Sequence, residues 1–128
     1  MNLLTTQGIT VRIDAFYQFG ESRPVEENYI FAYRVKITNN SPFTVKLLTR
    51  FWEIKNSLGD VRVVEGDGVI GQQPTLRPGE EHIYVSWSPI ETPIGRMKGH
   101  YVMETQEEFR RFKVRIPEFQ LLAPFILN

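Results

Sequence analysis

The sequence predicts an all-β protein, an antiparallel two-sheet β-sandwich with about seven strands. Three observations favour this class. Apolar residues recur at every second position in most of the chain, which is the period of a half-buried strand. Turn-forming residues interrupt these runs about every ten positions. No window combines a 3.6-residue apolar stripe with capping residues, so we expect almost no helix.

The first two strands are predicted from simple alternation. In residues 9–19 every odd position is apolar or aromatic, while most even positions are polar. The same pattern returns in residues 29–37, whose aromatic side chains we expect in the core. Residues 39–42, Asn-Asn-Ser-Pro, then supply a turn.

The third strand, residues 45–54, carries apolar side chains on both faces. A β-bulge or a central position in a sheet would explain this pattern. Trp52 is predicted to lie in the core between the two sheets. Residues 56–60 have turn chemistry and residues 61–65 can return as a short strand, which together predict a hairpin.

A further strand is predicted for residues 82–87. Its odd positions, Ile83, Val85 and Trp87, form an apolar face, and the opposite face is expected to point outward. Residues 88–96 contain two prolines and a glycine, so we expect this segment to be irregular.

Two more strands complete the prediction, in residues 99–104 and residues 112–116. Pro117 is expected to end the pairing, because a proline contributes no N–H to a ladder. The tail, residues 118–128, is too apolar to be left in water. We expect it to lie along the sandwich or on a second subunit.

Length and composition bound the class of protein. The 128 residues are the usual size of one domain, and we expect a single domain over residues 1–128. Lysine and arginine number 15, as do aspartate and glutamate, so no bulk charge favours nucleic acid or an anionic membrane. The absence of cysteine excludes disulfides, thiolate nucleophiles and cysteine-containing zinc sites. No signal peptide or membrane span is recognisable, so we expect a cytoplasmic protein.

Residues 66–80 have the highest density of motif-forming residues. The three glycines at its start have a spacing like that of a dinucleotide-binding fingerprint, but Pro74 and Pro78 occupy the positions where the phosphate-binding helix would run. We therefore interpret the segment as a shaped loop between strands and as a candidate interaction loop. Its candidate contact residues are Gly66, Asp67, Gly68, Gly71, Gln73 and Pro74.

The residues that could carry chemistry form no catalytic or metal-binding signature. His82 and His100 are both expected to point outward. His100 and Glu104 share a strand face but lie about 13 Å apart, too far to bind one ion. No motif distinguishes a nucleophile among the serines and threonines. We therefore expect no catalytic residue, no cofactor and no metal site.

Arg111, Lys113 and Arg115 form a candidate basic strand face. Such a row can meet phosphates or an acidic peptide, but a solvated strand face has the same composition. We interpret it as a solvated face. No RNA-binding signature accompanies the aromatic residues, so nucleic-acid binding is not expected.

Several motifs more specific than the glycine triplet follow one another along the chain. They are Trp52-x-Ile54, Gly59, Gly66-x-Gly68-Val69-Ile70-Gly71-x-Gln73-Pro74, Leu76-x-Pro78-Gly79-Glu80, Tyr84-x-Ser86, Thr92-Pro93-x-Gly95-x-Met97-x-Gly99-x-Tyr101-x-Met103 and Ile116-Pro117-x-Phe119-x-Leu121. In this order they resemble the ApaG family of small bacterial proteins, over nearly the whole chain. The chain departs from the family pattern at Ser86-Trp87, where the family has Ser-Gly.

The resemblance implies a fibronectin type III-like or immunoglobulin-like sandwich. It also implies a protein-binding role, like that of similar domains in eukaryotic F-box proteins and in a polymerase-delta-interacting protein. Bacterial members have a genetic link to cobalt tolerance and magnesium efflux. The resemblance supplies no catalytic residue.

Residues and resemblance together predict a non-enzymatic interaction domain for an unidentified protein partner. Open sheet edges make strand addition or a homodimer physically reasonable. Under this hypothesis Gly68→Arg weakens partner capture and leaves thermal unfolding nearly unchanged. The alternative is a small-ligand binding protein or enzyme for nucleotides, pyrophosphate or divalent cations, in which residues 66–71 supply backbone N–H groups.

Overall fold

The computed structural model of the chain describes residues 2–127, in which nine β-strands account for most of the residues. The strands are β1 (Asn2–Thr6), β2 (Ile9–Tyr17), β3 (Tyr29–Asn39), β4 (Val45–Asn56), β5 (Val61–Asp67), β6 (Thr75–Leu76), β7 (Glu81–Ile90), β8 (Ile94–Thr105) and β9 (Arg111–Leu122). Within the described range, helix is limited to two short 3-10 segments, Pro24–Glu26 and Pro124–Leu127. The expected near absence of helix is confirmed. No helix in this part of the chain is long and apolar enough to cross a membrane.

The strands form two antiparallel sheets that pack face to face, which confirms the predicted sandwich. One sheet has the order β1-β2-β3-β7, and the other has the order β5-β4-β8-β9 with β6 paired to β4. Trp52 of β4 is 2% exposed and lies between the sheets. Its ring centroid is 5.4 Å from that of Tyr33 in the opposite sheet and 5.9 Å from that of Phe119. The predicted core tryptophan is therefore confirmed.

The mixed pattern of β4 has both of the causes that the sequence left open. The strand is central, since it pairs with β5 and β6 on one side and β8 on the other. Its register against β8 shifts between Leu47 and Thr49, where an extra residue is inserted. Such a bulge moves the apolar positions of a strand from one face to the other.

Two strands were not predicted. β1 follows no long alternation, and it pairs with β2 through a tight turn at Gln7 and Gly8. β6 has only two residues, and it is held by pairing with Val45 and Lys46 of β4. Short edge segments of this kind are fixed by tertiary pairing, because they carry too little local pattern to be recognised.

The predicted orientation of β7 was wrong. Tyr84, on the even face, is buried, whereas Ile83, Val85 and Trp87 are 43, 50 and 51% exposed. His82 shares the inner face and is half-buried, contrary to the expected outward position. The sequence interpretation took the more apolar odd face as the buried one, but the inner face of β7 borders a polar cleft in which the serines Ser86 and Ser88 are tolerated.

The two proline-rich segments are more regular than predicted. β7 continues to Ile90 and β8 begins at Ile94, so a tight three-residue connection carries the chain from one sheet to the other. Pro117 does not end the pairing, because the register of β9 against β8 shifts between Met97 and Gly99, and this bulge accommodates a residue without an N–H. Phe119 and Leu121 of the tail are buried. The described part of the tail therefore lies along the sandwich, which was the first of the two predicted alternatives.

The two flanks of the sandwich differ. On one flank β1 lies beside β9, where the Arg115 N–H donates a hydrogen bond to Thr6 Oγ1 at 3.2 Å. On the other flank, β5 and β7 are both terminal strands of their sheets and do not pair with each other. A cleft therefore opens between the sheets on the β5–β7 flank.

Candidate functional site

The glycine-rich loop closes one end of this cleft. Residues 69–72 form a tight two-residue turn, in which Val69 and Gln72 pair and the tip residues Ile70 and Gly71 have φ angles of 48° and 73°. Gly68 also has a positive φ, 63°, and a Cβ on it would overlap the main-chain carbonyl of Gln72. The loop shape therefore requires glycine at position 68. We therefore expect Gly68→Arg to lower the thermal stability, in contrast to the expectation from the sequence.

Three N–H groups of the loop already have hydrogen-bond partners within the protein. The N–H of Gly68 donates to the carbonyl of Leu48 at 2.8 Å, and Val69 and Gln72 exchange N–H to carbonyl hydrogen bonds of 2.8 and 3.0 Å. The side chain of Gln73 donates to the same Leu48 carbonyl at 2.9 Å. No α-helix follows within the described residues. These N–H groups are therefore occupied by the protein itself.

The carbonyl groups of the loop instead hold an arginine of the neighbouring strand. Arg50 Nη1 donates to the carbonyls of Asp67 and Gly68 at 2.9 and 3.1 Å. Gly66 lies opposite Arg50 in the β4–β5 ladder, and its missing side chain leaves room for the guanidinium group. The loop thus fixes a positive charge at one end of the cleft.

A second arginine lies at the other end. Arg62 Nη2 donates to the carbonyl of Pro89 at 2.9 Å and contacts Ser88 Oγ at 3.4 Å, so it spans from β5 to β7. The space between the two arginines is a cavity of about 370 Å³. Trp52 and Val64 contribute to its lining from one sheet. The opposite sheet contributes Tyr33, Tyr84, Ser86 and Ser88.

The tyrosines of the cleft remain neutral at ordinary pH. Burial raises the pKa of Tyr33 and of Tyr84 above the usual tyrosine value, and the same effect is larger for the fully buried Tyr101. The hydroxyl groups of Tyr84 and Tyr101 form a hydrogen bond in the core. Because deprotonation is made harder by burial, these phenols are suited to structural hydrogen bonding rather than to nucleophilic chemistry.

Neither histidine belongs to this cleft. His100 points outward from β8, as predicted, and its ring stacks on Phe51 at 5.1 Å. The pKa of each histidine is lowered, mainly because partial burial disfavours the charged ring, and Lys113 adds to the effect at His100. Among the described residues no group of three metal-ligating side chains comes together.

The candidate basic strand face lies on the outer side of β9. Arg111 Nε pairs with Glu104 Oε2 at 3.1 Å. Lys113 and Arg115 rim a shallow depression above Gly99, together with carboxylates such as Glu118. Acidic side chains therefore interrupt this row of positive charge.

The outer rim of the cleft is apolar. Ile83, Val85 and Trp87 project from β7, and Ile70 projects from the glycine-rich loop with 60% of its surface exposed. The candidate loop residues Asp67 and Gly71 line the same cleft. Part of the predicted interaction loop thus lies next to β7, whose apolar face had been predicted to be buried.

Sequence reasoning missed Arg50, Arg62 and Trp87 as site residues. The arginines stand two positions before Trp52 and Val64, respectively, on strand faces that point into the sandwich. A charge in register with core residues is unusual, and this was the signal that could have identified them. Trp87 was assigned to the apolar face of its strand and noted as a departure from a family pattern, but it was not identified as a site residue.

Comparisons with known proteins agree with the fold and with one another. The sequence model described as "ApaG domain" matches residues 20–105. The chain is 43% identical over 123 residues to Protein ApaG of Rhizobium leguminosarum bv. trifolii, covering 96% of this chain and 94% of the relative. It is 39% identical over 126 residues to Protein ApaG of Pectobacterium carotovorum, covering 98% and 100%. The crystal structure of the putative ApaA protein from Bordetella pertussis superposes with a TM-score of 0.88 at 40% identity, over 91% of this chain and 94% of that one.

Proposed function

The chain belongs to the ApaG family, and from this premise we propose that it is a non-enzymatic recognition module for a protein partner. An extended segment of the partner pairs with the free edge of β7, beside the glycine-rich loop. Recognition by strand addition uses main-chain hydrogen bonds for affinity and side-chain pockets for specificity.

The observation that carries the proposal is the unpaired edge of β7. Ile30 of β3 directs its N–H to Ser22 Oγ and its carbonyl to the Gln18 N–H, both on the side away from β7. Its partner in the ladder, Pro89, therefore faces the free edge, and backbone groups alternate in an antiparallel ladder. Trp87, Val85 and Ile83 then direct their N–H and carbonyl groups outward.

This edge lacks the usual protection against pairing. Natural edge strands are blunted by lysines, prolines or bulges. In β7 the only proline, Pro89, lies near the end of the strand, and residues 83–87 carry no charge. An exposed strand edge with three large apolar side chains favours pairing with another chain.

The chemistry of the cleft supports binding rather than catalysis. The Ser88 hydroxyl contacts Arg62 and the Tyr84 hydroxyl pairs with Tyr101, and neither histidine lines the cavity as a general base. We therefore propose that the family link to cobalt and magnesium acts through the partner, and that the chain itself does not hold the ion. The small-ligand alternative relies on the N–H groups of residues 66–71, and those of Gly68 and Val69 are already used within the protein, which argues against it.

The test is site-specific photo-crosslinking in the native cells. A benzophenone amino acid replaces Trp87, or replaces Leu58 at the exposed β4–β5 turn as a matched control. We expect a protein adduct from position 87 and none from position 58. Val85→Pro, which removes an outward N–H, should abolish the adduct.

Two results would contradict the proposal. An adduct that persists unchanged in Val85→Pro would show that the partner does not use this edge. An adduct of twice the chain mass, matched by a dimer in sedimentation of the purified chain, would make the occupant a second copy of the protein.

A further inference from the structure

We propose that the segment held by β7 carries two carboxylate side chains four residues apart, which bind Arg62 and Arg50 at the two ends of the cleft. This inference rests on the proposed function and adds the chemistry of the partner to it. The residues between the carboxylates alternate in direction, so that the middle one faces the cleft and its neighbours face outward.

The two arginines are fixed mainly by main-chain contacts, and the acidic side chain of Glu91 lies beside Arg62. Each guanidinium is held by main-chain carbonyls, those of Asp67 and Gly68 for Arg50 and that of Pro89 for Arg62. Neither arginine takes part in an ion pair among the described residues. Asp67 also borders the cleft, but the contact it makes with Arg50 is through its main-chain oxygen.

This arrangement leaves donors for an anion. A guanidinium has five N–H groups, and the contacts of Arg50 and Arg62 each use only one terminal nitrogen. The remaining N–H groups can bind a carboxylate with two parallel hydrogen bonds, which are among the stronger polar contacts in proteins. The cleft is lined by two positive groups and the single carboxylate of Asp67, so charge complementarity favours an acidic ligand.

The two arginines are located at β5 positions whose backbone spacing matches a strand. Arg62 and Gly66, on which Arg50 lies, are four residues apart on β5, about 13 Å at the usual rise of a strand. In an added strand, side chains that point the same way recur every two residues, about 6.6 Å. Positions i and i+4 of that strand therefore reach the two arginines, and position i+2 lies over Trp52 and Val64.

The outward side chains of the same strand complete the pattern. Positions i+1 and i+3 would lie on the face that carries Val85 and Trp87, where apolar residues bury exposed surface. The expected recognition sequence is therefore acidic, apolar, small or apolar, apolar, acidic. A phosphate compound would satisfy one arginine at a time and would leave the apolar rim uncovered.

The experiment selects binders from a displayed library of random nonapeptides on the purified full chain. We expect the bound sequences to be enriched in pairs of Asp or Glu at i and i+4. The same selection is repeated on Arg50→Gln, on Arg62→Gln and on Arg96→Gln, which removes an exposed charge from β8 outside the cleft. The enrichment should disappear in the first two variants and persist in the third.

A synthetic peptide with the selected sequence then measures the coupling energy between each peptide carboxylate and its arginine. Replacing one of its glutamates by glutamine should weaken binding about tenfold in the wild type, which corresponds to the loss of one charge-assisted contact. The same replacement should have almost no further effect in the variant that lacks the matching arginine. Thermal unfolding of each variant shows whether the loop has kept its fold.

The outcomes separate this inference from the proposed function. Two outcomes would overturn the carboxylate assignment alone, provided that binding is lost in Val85→Pro. In one, the selected peptides lack paired acidic residues. In the other, they bind Arg50→Gln and Arg62→Gln as well as they bind the wild type. The assignment would also be overturned if pyrophosphate displaced the peptide and bound more tightly than the peptide does. If no selected peptide is sensitive to Val85→Pro, strand addition at β7 itself is wrong.

Discussion

Gly66 has no side chain, and the guanidinium of Arg50 lies against the space that one would occupy. A Cβ on Gly66 would stand 3.2 Å from Arg50 Nη1 and 3.5 Å from Cζ. The next two carbonyls of the chain, those of Asp67 and Gly68, accept the hydrogen bonds of that guanidinium. A triplet that looks like a phosphate-binding fingerprint therefore positions an arginine.

Gly66→Val is expected to separate binding from stability. The three atoms nearest to the added Cβ all belong to the end of the flexible Arg50 side chain, which can move aside, so the free energy of unfolding should change by less than about 1 kcal/mol. Binding of the acidic peptide should fall as in Arg50→Gln. Calorimetry and peptide titration measure both. Gly20→Val, at a position with open space around it, is the control; unchanged peptide binding in Gly66→Val would count against the role of Arg50.

Gly68→Ala should destabilise the protein more than Gly71→Ala. Both glycines have positive φ angles, which cost other residues about 1–2 kcal/mol. Only at Gly68 does the added Cβ also overlap a main-chain carbonyl, that of Gln72, whereas nothing lies within 4 Å at Gly71. We expect losses of about 2–4 and about 1–2 kcal/mol, respectively, in urea unfolding. Equal losses would show that the loop relaxes around the new side chain.

The hydroxyl pair of Tyr84 and Tyr101 should behave as one unit. Either phenylalanine substitution leaves the other hydroxyl buried without this partner, which costs about 1–3 kcal/mol. The double substitution removes both polar groups and should cost less than the sum of the two. Chemical unfolding of the four proteins gives the coupling energy, and strict additivity would mean that the two hydroxyls act independently.

The same pair predicts a loss of stability at alkaline pH. Burial raises the pKa of both phenols in the folded state above the ordinary value of about 10. Below pH 10 both states hold the proton and this contribution is fully present. Above pH 10 the unfolded chain releases the proton first, so the free energy of unfolding falls as pH rises. The slope should be smaller in the double phenylalanine variant, and an identical slope would assign the alkaline transition to other groups.

The sequence predicted the sandwich because its long strands carry the pattern of one buried face. Ile9, Val11 and Ile13 alternate with polar residues and are fully buried, as the pattern requires. The buried faces of the strands around the cleft were harder to predict, because they carry Arg50, Arg62 and Ser86. Where a flank of the core is a polar cavity, the more apolar face of a strand need not be the buried one.

The interaction loop was located from its glycines, but the role of each glycine depends on distant residues. Gly66 is explained by Arg50 on another strand, and Gly68 by the carbonyl of Gln72 across the turn. Neither contact has a sequence signal, since each depends on how the hairpin closes. The motif therefore indicated a shaped loop correctly, and the identity of the charged group it holds needed the structure.

Proline substitutions at neighbouring positions of β7 give a direct test of its free edge. Ser86 is a hydrogen-bonded partner of Tyr33 in the β3–β7 ladder, whereas Val85 directs its N–H away from β3. Ser86→Pro should therefore cost at least about 2 kcal/mol, because it removes a ladder donor and leaves a carbonyl unpaired. Val85→Pro should cost less than about 1 kcal/mol, since proline is tolerated where the N–H faces solvent. Urea unfolding compares the two, and Val85→Pro should in addition lose peptide binding while keeping its fold. A large loss of stability in Val85→Pro would show that its N–H is already used within the chain, and the edge of β7 would then be closed to a partner strand.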